Sequence, residues 1–167
     1  VFVNSMLKFI SKYGKIIAII AIVVFSLFFE SFASNAQNKK VLILHSYHKG
    51  LKWTDEVDRG IRDQLKSMNF TEIFTEYLDT KRHFSDEYFE LKKREFLYKF
   101  SDEKFNVVIT TDDDALNFAL SNHDIIFKGS PIVFCGVNHL SPETEERIKR
   151  IATGVSEAFD LAKTFDI

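Results

Sequence analysis

The chain has 167 residues, a formal net charge of −2 and one cysteine. That length suits one domain, or one domain plus a targeting segment. The balanced charge offers no basic stripe for nucleic acid, and a single cysteine excludes an intramolecular disulfide framework and any multi-cysteine zinc site.

Lys8, Lys12 and Lys15 precede an apolar run from Ile16 to Phe29, broken only by Ser26 and stopped by Glu30. Ser34-Asn35-Ala36 then places small residues at −3 and −1 before Gln37. A positive start, an apolar stretch and a small-x-small site predict a secretory signal. As a helix the run spans about 21 Å, short of the roughly 30 Å hydrocarbon core. Tyr13 and Phe32 extend it toward an uncleaved anchor. Residues 1–36 are thus expected to be a signal peptide or a hydrophobic signal-anchor helix. The lysines hold the N-terminus inside, so residues 37–167 are expected outside the cytoplasm, either periplasmic and anchored in the inner membrane or secreted. No cysteine closes the run, which excludes a lipoprotein anchor.

Val41–Tyr47 (VLILHSY) opens with four consecutive apolar residues, the pattern of a strand buried on both faces. Trp53, Val57, Ile61, Leu65 and Met68 recur at helical spacing, with Thr54, Asp55 and Glu56 expected to cap the start. Ile73–Leu78 (IFTEYL) alternates more and reads as a strand nearer the sheet edge. Ser85 caps a helix running to about Phe100, with Phe89, Phe96, Leu97 and Phe100 on one side. Asn106–Thr111 is a third strand, and Asp112 and Asp113 open a helix to about Asn122. Pro131–Val137 is a fourth strand, Pro142 to Arg150 a short charged helix, and Ala152–Val155 a weak fifth strand. Phe159 to Ile167 begins a helix with no stop signal, which reads as truncated.

Strands alternating with helices predict an α/β fold, a doubly wound parallel sheet with helices on both faces. Right-handed crossovers favour the flavodoxin-like order 2-1-3-4-5. In such sheets a ligand sits outside the carboxyl ends of the strands, at the switch point between strands 1 and 3. Polar residues gather there: His45, Ser46, Tyr47, His48 and Trp53 after strand 1, Asp79 to Arg82 after strand 2, Asp112 to Asp114 after strand 3, and Gly136 to His139 after strand 4. The mixture suits a small polar or amphipathic solute. Plainer roles stand beside it. Ser46 and Tyr47 end a strand, Trp53 fits a helix core, and one aspartate of the 112–114 run caps a helix. Lys81 and Arg82 fit a solvated turn, and Cys135 fits a buried small hydrophobe. His45 with His48, or the aspartate run, offers at most an incomplete metal set. No G-x-S-x-G elbow and no glycine-rich phosphate loop occurs, so no catalytic residues, metal or cofactor are assigned.

Together these loops resemble a known group. HSYHKGLKW (45–53), the GI of the first helix (60–61), YLDTKR (77–82), TTDDDALNFAL (110–120), PIVFCGVN (131–138) and TGVSEAFD (153–160) are similar to the periplasmic solute-binding family related to ABC-transporter binding proteins. The likeness is greatest to the branch that forms extracytoplasmic sensors of bacterial histidine kinases and diguanylate cyclases, and it covers about residues 40–167. It implies the first lobe of a type I periplasmic binding protein, with Ser46, Tyr47, Trp53, Asp112, Asp113 and Asn138 facing an interlobe cleft. Its partners would be a small-molecule ligand in that cleft, the membrane through the N-terminal helix, and a second lobe and output domain that this chain lacks. The chain then reads as the N-terminal piece of a membrane-anchored signalling protein. The alternative is the substrate-binding protein of an ABC importer, and an exported enzyme built on Asp112 to Asp114 is a third reading.

Overall fold

A computed structural model describes residues 39–68, 70, 72–138 and 140–157. The expected leader (1–36), the expected final helix (159–167) and His139 lie outside them. Among the described residues no helix is long and apolar enough to cross a membrane.

Strand β1 (Lys40–His45) buries Val41 to Leu44 completely, as a strand covered on both faces requires. It lies between β2 (Glu72–Tyr77) and β3 (Val107–Thr111), followed by β4 (Ile132–Val137) and β5 (Ala152–Ser156). All four pairings are parallel and the order is β2-β1-β3-β4-β5. This is the expected order, and the alternating β2 sequence does lie at an edge, with no residue fully buried. Helices α1 (Lys52–Ser67), α2 (Asp86–Lys99), α3 (Asp113–Ser121) and α4 (Pro142–Ile151) connect the strands.

The strand period of two sends alternate residues to opposite faces. Val41 and Ile43, with Val107 and Ile109, meet Ile61 and Leu65 of α1. Leu42 and Leu44 point the other way into the larger core, with Phe96, Phe100, Phe105, Leu116 and Phe118. The phenylalanines there pack edge-on or tilted, with Phe100 and Phe105 centroids 5.1 Å apart and Phe96 and Phe118 5.5 Å apart, the geometry that the ring quadrupole favours. Ile148 and Ile151 of α4 join this cluster, and the Arg147 guanidinium donates to the Leu120 carbonyl at 2.7 Å.

Several local expectations shift. β1 stops at His45, so Ser46 and Tyr47 leave the strand instead of ending it. α1 begins at Lys52 with Leu51 as an N-cap that makes no side-chain bond. Thr54 is therefore inside the helix and fully buried, while Asp55 accepts the Gly50 N–H at 3.0 Å. The early start follows from Gly50, whose φ of +93° turns the chain before Leu51. Met68 and Leu97, placed on apolar faces by spacing, are 59% and 37% exposed. Ser85 caps α2 as expected, accepting the Tyr88 N–H at 3.2 Å, and Ser141 caps α4 the same way.

Candidate functional site

The carboxyl edge of the sheet is assembled around Ser46. Its hydroxyl donates to the Thr111 carbonyl at 2.9 Å and accepts the Ala115 N–H at 2.8 Å. Ala115 lies in the first turn of α3, where backbone N–H groups lack helical partners, so a neighbouring strand end supplies the acceptor. The Ser46 carbonyl accepts from both the backbone N–H and the hydroxyl of Thr80, at 2.9 and 3.0 Å. One fully buried serine thus joins the segments that follow β1, β2 and β3. Ser46 positions the edge.

Asp112 links β3 to α3 and caps the helix with φ +73°. One carboxylate oxygen accepts the Asp113 N–H at 2.8 Å and the other accepts the Tyr47 hydroxyl at 2.8 Å. Burial raises the Asp112 carboxyl above the ordinary carboxylate range, opposed by those two hydrogen bonds. Burial, then the Asp112 carboxylate, also raises the Tyr47 phenol. Tyr47 therefore stays a donor at neutral pH.

The Tyr47 ring meets the Trp53 indole edge-on, with centroids 5.9 Å apart. Lys81 Nζ sits 4.2 Å from the centroid of the Tyr47 ring, within cation–π reach. The indole lies against Gly136, where an added Cβ would stand 2.8 Å from Trp53 Cζ2. Gly136 also has φ +68°, so close approach and backbone both call for glycine. Asp113 Oδ2 accepts the Asn138 N–H at 3.4 Å, and the Asn138 side chain is exposed. On the β2 side, Asp79 pairs with Arg82 Nε at 2.7 Å, which holds its carboxyl below the usual range, and Asp79 Oδ1 lies 3.4 Å from His48 Nδ1.

All six expected residues converge on this edge. Tyr47, Trp53, Asp113 and Asn138 are partly or fully exposed, Asp112 is 6% exposed, and Ser46 is closed off beneath them. Two residues complete the surface in ways that sequence reasoning did not assign. Lys81, read as a solvated turn cation, covers Tyr47, and Gly136 makes room for Trp53. The signals were present: Lys81 follows β2, the neighbour of β1 in the expected order, and a glycine interrupts the apolar β4. His45 and His48 do not act as a pair. His45 is fully buried, with Nδ1 2.9 Å from Thr111 Oγ1, Nε2 3.3 Å from Asp58 Oδ1, and its ring stacked on Tyr77. Asp112 and Asp113 serve separate partners, and Asp114 lines a groove beside Phe89 and Lys93. Among the described residues no three His, Cys, Asp or Glu side chains gather where a metal ion would fit. Cys135 is half-buried, less than the buried hydrophobe expected. Burial still raises its thiol.

No protein-family model, curated protein or solved structure matches the chain.

Proposed function

We propose that this domain is the extracytoplasmic, small-solute-sensing lobe of a membrane-anchored signal-transduction protein of the histidine-kinase type. The solute rests on the carboxyl edge between β1 and β3, and a second α/β lobe closes over it. The observation that carries this reading is the Tyr47–Trp53 corner, with Lys81 over the Tyr47 ring and the Asp113–Asn138 hydrogen bond on the same carboxyl edge. Aromatic rings with a cation and an acid on one edge match an amino acid or another small amphipathic solute that carries both charges. The corner stands at the switch point of the strand order, where open α/β sheets bind ligands. A solute touching both lobes favours the closed arrangement by its differential contacts. The N-terminal apolar segment then relays the closure through the membrane.

Thermal unfolding of the full chain against a panel of the common amino acids and small carboxylates tests this reading. A solute at about ten times its Kd stabilises by about 1.4 kcal/mol, roughly 3–8 °C for a domain of this size. At least one solute class is expected to give such a rise. Lys81→Ala and Asp113→Asn are expected to abolish the rise while leaving the ligand-free midpoint within about 2 °C. A panel with no stabilising member contradicts the reading. N-terminal sequencing of the mature protein adds a second check, because cleavage before Gln37 would redirect the reading to a soluble importer component.

A further inference from the structure

Helix α2 carries an apolar stripe that nothing among the described residues covers. Leu91 and Tyr98 lie two turns apart on one face and are 52% and 87% exposed. Phe84, just ahead of the helix, is 70% exposed. The opposite face already supplies Phe89, Phe96 and Phe100 to the core, so the stripe is not needed for folding. Phe84 is not a loose end either, since its ring packs edge-on against Phe89 at 5.4 Å. Large apolar side chains aligned within a polar rim mark an interaction surface.

The stripe is symmetric in sequence about Leu91. Tyr98 stands seven residues after it, about 10.5 Å away along the axis at helical rise, and Phe84 stands seven before it, two residues ahead of the helix. The flanking charges are symmetric in the complementary sense. Glu87 precedes Leu91 and Arg94 follows it, both exposed. Glu90, Lys92, Lys93, Glu95 and Lys99 pair within the helix, as Lys93–Glu90, Lys92–Glu95 and Lys99–Glu95, and Asp86 stands in its first turn. Glu87 and Arg94 make no ion pair among the described residues, and Arg94 reaches only the Glu90 carbonyl at 3.4 Å. An open groove of about 480 Å³ runs beside Phe84, Glu87, Tyr88 and Leu91.

We propose that α2 is a self-association surface, on which a second copy of this chain packs antiparallel about a two-fold axis through Leu91. Leu91 meets Leu91 of the second copy. Tyr98 of each copy enters the groove beside Phe84 of the other, and Glu87 comes within one residue's rise of Arg94 of the other. A two-fold interface repeats every contact, so each pair occurs twice. One helix face is smaller than the roughly 800 Å² per partner of a standard interface. The dimer is therefore concentration-dependent and sensitive to single substitutions. The proposal does not depend on what the carboxyl edge binds.

Sedimentation velocity of the full chain in detergent, with circular dichroism to confirm folding, tests it. Association is expected to rise with protein concentration. Leu91→Arg brings like charges together on the axis and is expected to weaken association about tenfold or more. Glu87→Arg and Arg94→Glu are each expected to weaken it about three- to tenfold, because the lost pair occurs twice. The double variant restores the pairing with reversed sign and is expected to recover most of the loss. In a Cys135→Ala background, mild oxidation should cross-link Leu91→Cys to itself far faster than Met68→Cys, which is equally open at 59% exposure but lies on another helix. A chain that stays monomeric at all concentrations overturns the proposal. So does association that Leu91→Arg leaves intact, a double variant no better than the single ones, or equal cross-linking at positions 91 and 68.

Discussion

Asp112 holds a backbone conformation, φ +73°, that few side chains adopt, and its carboxylate answers both the Tyr47 hydroxyl and the Asp113 N–H. Asparagine carries the same backbone strain there as aspartate and retains an oxygen acceptor. Asp112→Asn is therefore expected to fold within about 1 kcal/mol of the parent. Asp112→Ala removes the helix cap and the acceptor of the half-buried Tyr47 phenol and keeps the strain, at a cost of about 1–3 kcal/mol. Urea unfolding of the two variants measures the difference. His45 gives a pH signature. Burial holds its imidazole below the ordinary value of 6.5, while Asp58 pulls it upward and Arg62 downward, and Tyr77 stacks on the ring. The fold accommodates the neutral ring, and the unfolded chain takes up a proton first. That contribution is complete above the unfolded value and is lost as pH falls from there toward the folded one. The urea midpoint is expected to drop between about pH 7.5 and about pH 5.5, and more shallowly in His45→Gln. At this scale the sequence marked residues that the fold brings together at one edge, because polar residues at strand ends stand out against apolar runs. Ser46 was legible as polar but not as a hydrogen-bond hub, since its partners Thr111, Ala115 and Thr80 are far away in sequence.

The elements were legible where one physical signal dominated. Val41 to Leu44 had to be a buried strand, and Ser85 had to cap a helix. Boundaries were harder where two signals competed. Thr54, Asp55 and Glu56 resemble a helix start, yet the turn at Gly50 brings the helix in earlier and leaves Thr54 buried against the sheet. Met68 and Leu97 fit the helical period but fall at the margin of the apolar arc, where cover runs out. β4 combines strand and site, because Gly136 breaks its apolar run to admit the Trp53 indole. Gly136→Ala puts a Cβ into that ring at a position with positive φ. The expected outcome is a loss of about 1–3 kcal/mol together with red-shifted Trp53 emission in the native state, as the indole is displaced toward water. Emission unchanged from the parent would place the indole elsewhere.

For the whole molecule, strand order followed from the alternation of strands and helices and from crossover handedness, and the sheet has that order. Burial agrees with it: the central β1 is sealed, while β2 and β5 at the edges are open. What periodicity does not encode is which charges meet across the carboxyl edge, since Lys81, Tyr47 and Asp113 come from three different connections. The central claim is that this edge receives a small charged, amphipathic solute. The chain has one tryptophan, and it stands at that edge, so its emission reports on the proposed site alone. The decisive measurement is a titration of Trp53 fluorescence in the full chain with the same amino acids and small carboxylates, up to concentrations at which an affinity of about 1 mM, or roughly −4 kcal/mol, saturates. The account predicts a saturable change for at least one solute, weakened at least about tenfold by Tyr47→Ala. Emission that stays constant across the panel, or a change that Tyr47→Ala leaves untouched, would contradict it.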